Sequence, residues 1–140
     1  MSRSFKQDYT LGIQNETKCL DLFEYYFEEN FAKTPTMHSF DFVSPERYVE
    51  VKSRTCLKQT YPTTMIGYDK ILEAKKSKKP VHFAFLFRDG WLWEIEYNDK
   101  VFEEFDVQMF QRDDRVDKTD VRKQYCYIPV NRLECIGQVV

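Results

Sequence analysis

Along the first quarter of the chain, large apolar residues fall at helical spacing. Ile13, Leu20, Phe23, Phe27 and Phe31 recur at intervals of three, four and seven, while Lys18, Asp21 and Glu28 lie off that line. This spacing predicts an amphipathic helix over residues 11–32, stopped ahead of Pro35. Glu16 breaks the pattern. It stands three after Ile13 and four before Leu20, so its carboxylate points along the stripe that should enter the core. Near a helix start the same residue can also emerge wet at the core's edge.

The pattern then changes period. Residues 36–43 and 47–55 are rich in β-branched and aromatic side chains and are separated by Ser44-Pro45-Glu46, which predicts a β-hairpin. In its second strand Tyr48, Glu50 and Lys52 share one face, and Val49 and Val51 the other. With Pro45 and Glu46 as the central turn residues, Ser44 pairs with Arg47 and Asp41 falls opposite Glu50. Residues 53–65 read as a connection, and residues 66–78 have a helical pattern ending in lysines, a favourable arrangement against the helix dipole. The apolar run from Val81 to Phe87 has the mark of a central strand buried on both faces. Strand, helix and buried strand together predict a βαβ crossover. After the Asp89-Gly90 turn signal, Trp91, Trp93, Ile95 and Tyr97 alternate with Leu92, Glu94 and Glu96 as a further antiparallel strand. Residues 101–105 predict an edge strand, residues 125–130 another strand, and the last ten residues are expected to pack back on the rest. Residues 111–124 carry nine charged residues in fourteen, which predicts a mobile loop or a short exposed helix. The whole reads as an α/β fold of one domain over residues 1–140: a mixed β-sheet flanked by helices, built from an N-terminal helix, a hairpin and a crossover.

Composition narrows the function classes. The chain is 42% hydrophobic and 16% aromatic over 140 residues, enough to build a core and to argue against intrinsic disorder. Its longest apolar run is seven residues, far below the roughly 18–20 of a membrane-spanning helix. The N-terminal residues lack a secretory pattern, so an intracellular location is expected, in the cytoplasm or in the nucleus of a eukaryotic or virus-infected cell. Cys19, Cys56, Cys126 and Cys135 lie too far apart to suggest a disulfide framework or a zinc ribbon. With only His38 and His82, the chain cannot assemble a multi-histidine metal site.

Net charge is −2, but it is unevenly distributed. Between Lys52 and Lys79 there are eight basic residues against Asp69 and Glu73, and between Asp89 and Asp106 seven acids against Lys100. The first segment is suited to a polyanion, although an ordinary solvated face would carry the same charges. The hairpin adds a sharper clue. Asp41 and Glu50 side by side repel each other unless something positive sits between them. Lys52, two residues on from Glu50 on the same face, can supply this as an ion pair. A hard divalent cation held by the two carboxylates is the other solution: Mg²⁺ takes oxygen ligands, keeps several waters and is commonly bound by one or two carboxylates.

Gly12-Ile-Gln-Asn-Glu16 in the first helix, Phe40-Asp41-Phe42-Val43 on the first hairpin strand and Glu50-Val51-Lys52 on the second occur in an order that resembles the PD-(D/E)xK nuclease superfamily. The Glu-x-Lys follows the Asp by nine residues and precedes a crossover helix and a buried strand, a layout similar to the Holliday-junction-resolvase-like members. The resemblance spans residues 12–87. It implies a restriction-endonuclease-like fold and a metal-dependent nuclease cutting nucleic-acid phosphodiester bonds. DNA is the expected substrate, cut internally and with possible selectivity for its structure. By position it makes Asp41 and Glu50 ligands of Mg²⁺, with Mn²⁺ as a substitute, and Lys52 the residue that positions or deprotonates the attacking water. The Val51 carbonyl would face the metal, and Glu16 would be the helix acid that orients a bound water or joins a second ion.

Arg54, Lys58, Lys70, Lys75 and Lys76 are then candidates to contact backbone phosphates. Tyr61 and Tyr68 could stack on unpaired bases, although packing against the sheet is the commoner role for such residues. A homodimer would provide two cutting sites, and no membrane contact is expected. Two rival readings use the same residues: a catalytically inactive nucleic-acid-binding or scaffold protein of this fold, and an unrelated α/β domain whose Glu-x-Lys is a surface pair.

Overall fold

The computed structural model describes the backbone of residues 5–111 and 122–139 and the side chains of residues 16–109 and 124–139. The amphipathic stripe forms helix α1, Phe5–Phe27. It ends five residues before the expected point because Glu28 turns left-handed, with φ 56°. The Glu29 N–H then donates to the Glu24 carbonyl at 3.3 Å, a closure in which glycine is the usual residue at the position Glu28 holds. Phe31, which continues the apolar spacing, lies beyond this stop yet is buried with Phe23, and the half-buried Phe27 packs against both. Its spacing reflected burial and not helix.

The chain continues through β1 (Ala32–Lys33), β2 (Phe42–Val43), β3 (Tyr48–Ser53), β4 (Thr63–Gly67), α2 (Tyr68–Lys76), β5 (Val81–Leu86), β6 (Trp91–Glu96), α3 (Asp99–Glu103), β7 (Asp106–Gln111), β8 (Arg122–Pro129) and β9 (Glu134–Gln138). The main sheet has the order β1-β2-β3-β5-β6-β9, with β3 and β5 parallel and the other pairs antiparallel. A second sheet has the order β4-β8-β7.

Hydrophobic burial fixes the layers. On one face of the main sheet Phe42, Val49, Ala84, Leu86 and Leu92 pack against Cys19 and Phe23 of α1. On the other, Val81, Phe83 and Phe85 pack against Ile71 and Ala74 of α2 and Ile66, Cys126 and Ile128 of the second sheet. Strand β5 is buried along its whole length and holds the centre, as its unbroken apolar run predicts.

Several expectations are corrected. The strand predicted over residues 36–43 is reduced to Phe42–Val43; before it the chain turns, the His38 N–H donating to the Pro35 carbonyl and the Thr34 N–H to that of Asp41. The connection predicted over residues 53–65 contains a short 3-10 turn at Lys58–Thr60 and opens into β4, and the helix predicted from residue 66 starts at Tyr68. Between α1 and α2 the main sheet receives three strands, β1 being an addition to the two of the hairpin. The edge strand expected at residues 101–105 is helix α3, because the Asn98 side chain caps it by accepting the Val101 N–H at 3.1 Å. At the ends of the charged stretch, Gln111 and Arg122 are paired strand residues of β7 and β8. Residues 112–121, for which a mobile loop is expected, lie outside the described residues.

The hairpin register matches expectation: Phe42 pairs with Val49, Val43 with Tyr48, and the Ser44 N–H donates to the Arg47 carbonyl at 2.9 Å. A polar network holds this hairpin to its surroundings. Arg47 makes a two-pronged pair with Glu29, Nη2 to Oε2 at 2.7 Å and Nε to Oε1 at 3.1 Å, and the Ser44 hydroxyl also donates to Glu29. Arg47 Nη1 lies 3.0 Å from His82 Nε2. Since guanidinium only donates, Nε2 accepts, and the His82 proton sits on Nδ1, 2.8 Å from Glu94 Oε1.

The Arg47 guanidinium holds the Glu29 carboxyl below its ordinary value of 4.5. An acid whose folded value is depressed contributes stability that is present above its unfolded value and is lost as the pH falls through the folded one. Glu29→Gln is therefore expected to cost about 2 kcal/mol at pH 7. Thermal melts across pH should show the gap to the parent closing below about pH 4, and a gap independent of pH would contradict this account.

Candidate active site

The Glu50 carboxylate is the buried centre of the site. Strand alternation places it on the α2 face of the main sheet beside Phe83, its partner on β5, and its side chain is only 3% exposed. Two ammonium groups approach the same oxygen, Lys52 Nζ at 3.3 Å and Lys70 Nζ at 3.5 Å from Oε2. The other oxygen, Oε1, is buried with no hydrogen-bond partner. Burial, and next the Asp41 charge, push the Glu50 carboxyl up to about 7 against the pull of the two lysines.

Asp41 stands beside it for a reason of backbone supply. Strand β2 is too short to pair with the whole of β3, which leaves the Val51 N–H without a ladder carbonyl. Asp41 Oδ2 accepts that N–H at 2.8 Å, and the Asp41 N–H donates to the Val49 carbonyl at 3.1 Å. Because the N–H and C=O of one strand residue face the same side, the Val51 carbonyl opens on the same edge of β3 as Asp41. Thr34 fixes the Asp41 segment from behind, its hydroxyl bonding the Phe40 carbonyl and, at 3.0 Å, that of Asp41. Lys70 fixes it from the front by donating to the Ser39 carbonyl.

Lys52 and Lys70, the two lysines on Glu50, line a cleft of about 650 Å³ together with Arg54, Tyr68, Asp69, Gln124 and Tyr125, and the buried Glu50 carboxylate lies behind them. The structure thus brings together Asp41, Glu50, Val51 and Lys52 and adds Lys70, placed by sequence reasoning among the phosphate contacts. Arg54 also reaches the cleft, but its guanidinium bonds the Thr64 hydroxyl at 3.0 Å and the Met65 carbonyl and lies 5.4 Å from the Phe85 ring. Lys58 sits elsewhere, 4.3 Å over the Trp93 ring. Lys75 and Lys76 are exposed on the last turn of α2. Tyr61 is exposed and Tyr68 is half-buried against the core. Glu16 pairs with Lys33 of β1 at 3.0 Å, on a helix that covers the sheet face opposite Glu50. The groups that shift the Glu50 carboxyl are Asp41, Lys52 and Lys70, and Glu16 is not among them.

A family model described as phage putative PDDEXK endonuclease matches residues 8–136, a span that takes in every one of these side chains. The chain belongs to this family. No curated protein and no solved structure matches it. Membership makes the mixed sheet with its flanking helices a restriction-endonuclease-like fold, and it extends the resemblance seen over residues 12–87 to nearly the whole chain. The family description does not single out junction-resolving members.

A PDDEXK endonuclease is a nuclease by family, and divalent metals are general among such enzymes. Among the described residues no group of three or more His, Cys, Asp and Glu is placed to hold a metal. The donor set is the smaller one of two carboxylates and a carbonyl, and it fits a hard cation: Glu50 Oε1 is a buried acceptor without a donor, next to a second carboxylate. Lys70, read in the sequence as a phosphate contact, carries no sequence signal for a place beside Glu50. It lies eighteen positions after Lys52, on the first turn of the crossover helix, and only the packing of α2 on the Glu50 face brings the two together. Among the described residues no helix is long and apolar enough to cross a membrane.

Proposed function

We propose that this chain is a divalent-metal-dependent endonuclease that hydrolyses phosphodiester bonds in DNA. The observation that carries the proposal is the buried Glu50 carboxylate beside Asp41, one oxygen unpartnered and the other held by two lysines, Lys52 and Lys70, that line a basic cleft. Asp41, Glu50 and the Val51 carbonyl would hold Mg²⁺ or Mn²⁺. When bound, such an ion supplies Lewis acidity toward a phosphate oxygen and toward water.

The rest is the work of the chain. Lys52, 38% exposed at its side chain, places its ammonium where it can stabilise negative charge developing on the attacking water. Lys70 holds Glu50 against the Ser39 segment and presents positive charge to the same cleft. In-line displacement would leave a 5′-phosphate and a 3′-hydroxyl, the outcome implied by the family resemblance. Labelled single-stranded, duplex, flap and four-way-junction DNA, with an RNA control, should be incubated with the full chain in Mg²⁺, Mn²⁺ or EDTA. Cleavage of at least one DNA in either metal and none in EDTA is expected. Undiminished cleavage in EDTA, or none of any DNA with metal, would overturn the proposal.

A further inference from the structure

A second cavity, of about 520 Å³, lies where residues 37–40, Tyr48 and the C-terminal end of α2 meet. Its floor is aromatic. The Tyr48 ring centroid is 5.0 Å from that of His38 and 5.5 Å from that of Phe40. His38 is exposed, and the side chain of Met37 at the rim is 95% exposed. The Phe40 N–H donates to His38 Nδ1 at 3.1 Å, which fixes the ring and puts its proton on Nε2. The walls are basic: Lys76, Lys78 and Lys79 line the cavity against the single carboxylate of Glu73. Lys79 is committed to the Ser44 carbonyl at 2.9 Å and lies 5.3 Å from the Tyr48 ring, whereas Lys76 and Lys78 are exposed.

Among the described residues the cavity shares no lining residue with the cleft at Lys52 and Lys70, and Ser39 links it to the active site. Ser39 lines the cavity while its carbonyl receives Lys70, which touches Glu50. Phe40 adjoins Asp41, and Tyr48 precedes Glu50 by two residues on the same face of β3, a separation of roughly 7 Å.

We infer that this groove is a subsite for an unpaired nucleotide next to the scissile phosphate, and that the strand this enzyme engages is single-stranded there. The inference rests on the nuclease reading above and deepens it to a substrate class. Lysines alone would suit the backbone of any duplex. The exposed His38 ring, backed by the half-buried Tyr48, adds a face a duplex cannot use, because its base faces are already stacked on one another. An acidic peptide would satisfy the lysines and leave the aromatic floor without a partner.

The test reads binding without cleavage. Fluorescein-labelled oligothymidylate and a blunt duplex of equal length are titrated against the full chain in EDTA. His38→Asn keeps an acceptor for the Phe40 N–H but removes the ring. It should weaken oligothymidylate binding roughly 5- to 100-fold, the range for losing one base stack, while duplex binding stays within about twofold. Tyr48→Leu, which keeps the packing apolar, should act in the same direction. Lys76→Gln with Lys78→Gln should lower the salt slope by about 0.7 for each phosphate of a single strand that is no longer neutralised. Four results would overturn the inference: no binding of oligothymidylate by the parent, an unchanged affinity in His38→Asn, an equal loss on duplex, or displacement by polyglutamate as effective as by unlabelled oligothymidylate. Failure of the nuclease reading would show separately, in the response of cleavage to metal and EDTA.

Discussion

Glu50→Gln is expected to lose turnover by a factor on the order of 10³ or more and at the same time to make the metal-free protein more stable. The two effects share one cause. The Glu50 side chain is 3% exposed, one of its oxygens has no donor, and Asp41 repels it. Such a group is strained by its surroundings until a cation arrives, and a neutral amide of the same shape relieves both the burial of charge and the repulsion. The loss of attraction to Lys52 and Lys70 offsets only part of this, because those ammonium groups are 38% and 22% exposed and are partly neutralised by solvent. The gain should be on the order of 1 kcal/mol, a rise of about 3 °C in the midpoint of unfolding for a chain of this size. Mn²⁺ titration should show metal binding lost in Glu50→Gln and in Asp41→Asn, the latter keeping an acceptor for the Val51 N–H. Metal affinity unchanged in both variants would remove these residues from the metal site, and a lower melting midpoint for Glu50→Gln would refute the strain.

Lys52→Ala separates chemistry from binding. As an ordinary ion-pair partner of Glu50, Lys52 would contribute up to about 1 kcal/mol to folding and little to turnover. In the proposed mechanism its removal slows turnover by a factor on the order of 10² or more. Metal binding should be kept or slightly strengthened, since a competing positive charge leaves the carboxylates, and Lys70 still neutralises Glu50 Oε2. Single-turnover cleavage on a substrate the parent cuts, run beside a Mn²⁺ titration and a thermal melt, distinguishes the two. A folded variant that cleaves at a near-normal rate would sink the role assigned to Lys52.

Much of the site was legible because its parts are close in sequence. A two-residue turn at Pro45 and Glu46 sets the hairpin register, and that register alone puts Asp41 opposite Glu50. Strand periodicity then places Lys52 on the Glu50 face and the apolar Val49 and Val51 on the other, and the apolar run beginning at Val81 identifies the central parallel neighbour. The misreadings have equally local causes. Val101 and Phe102 have strand-like character, but the Asn98 cap nucleated a helix there. Residues 36–41 carry strand-like side chains, yet the carbonyls of Ser39, Phe40 and Asp41 are taken by Lys70 and Thr34.

Which partners reach a given face is a different question, because it depends on where the chain returns after many residues. Nothing in the sequence marked α2 as the cover of the Glu50 face and α1 as the cover of the opposite one, and that assignment brings Lys70 to Glu50 and sends Glu16 to Lys33. Nor did it mark the second sheet, whose β8 contributes Gln124 and Tyr125 to the cleft. Hydrophobic patterning by itself determined β3, β5, β6 and the crossover, and the Pro45-Glu46 turn brought the two carboxylates together, because backbone dihedrals and side-chain period act over a few residues. The burial of Glu50, its second lysine and the aromatic groove beside it were decided by tertiary packing, since apolar faces attract without specifying which distant segment covers them.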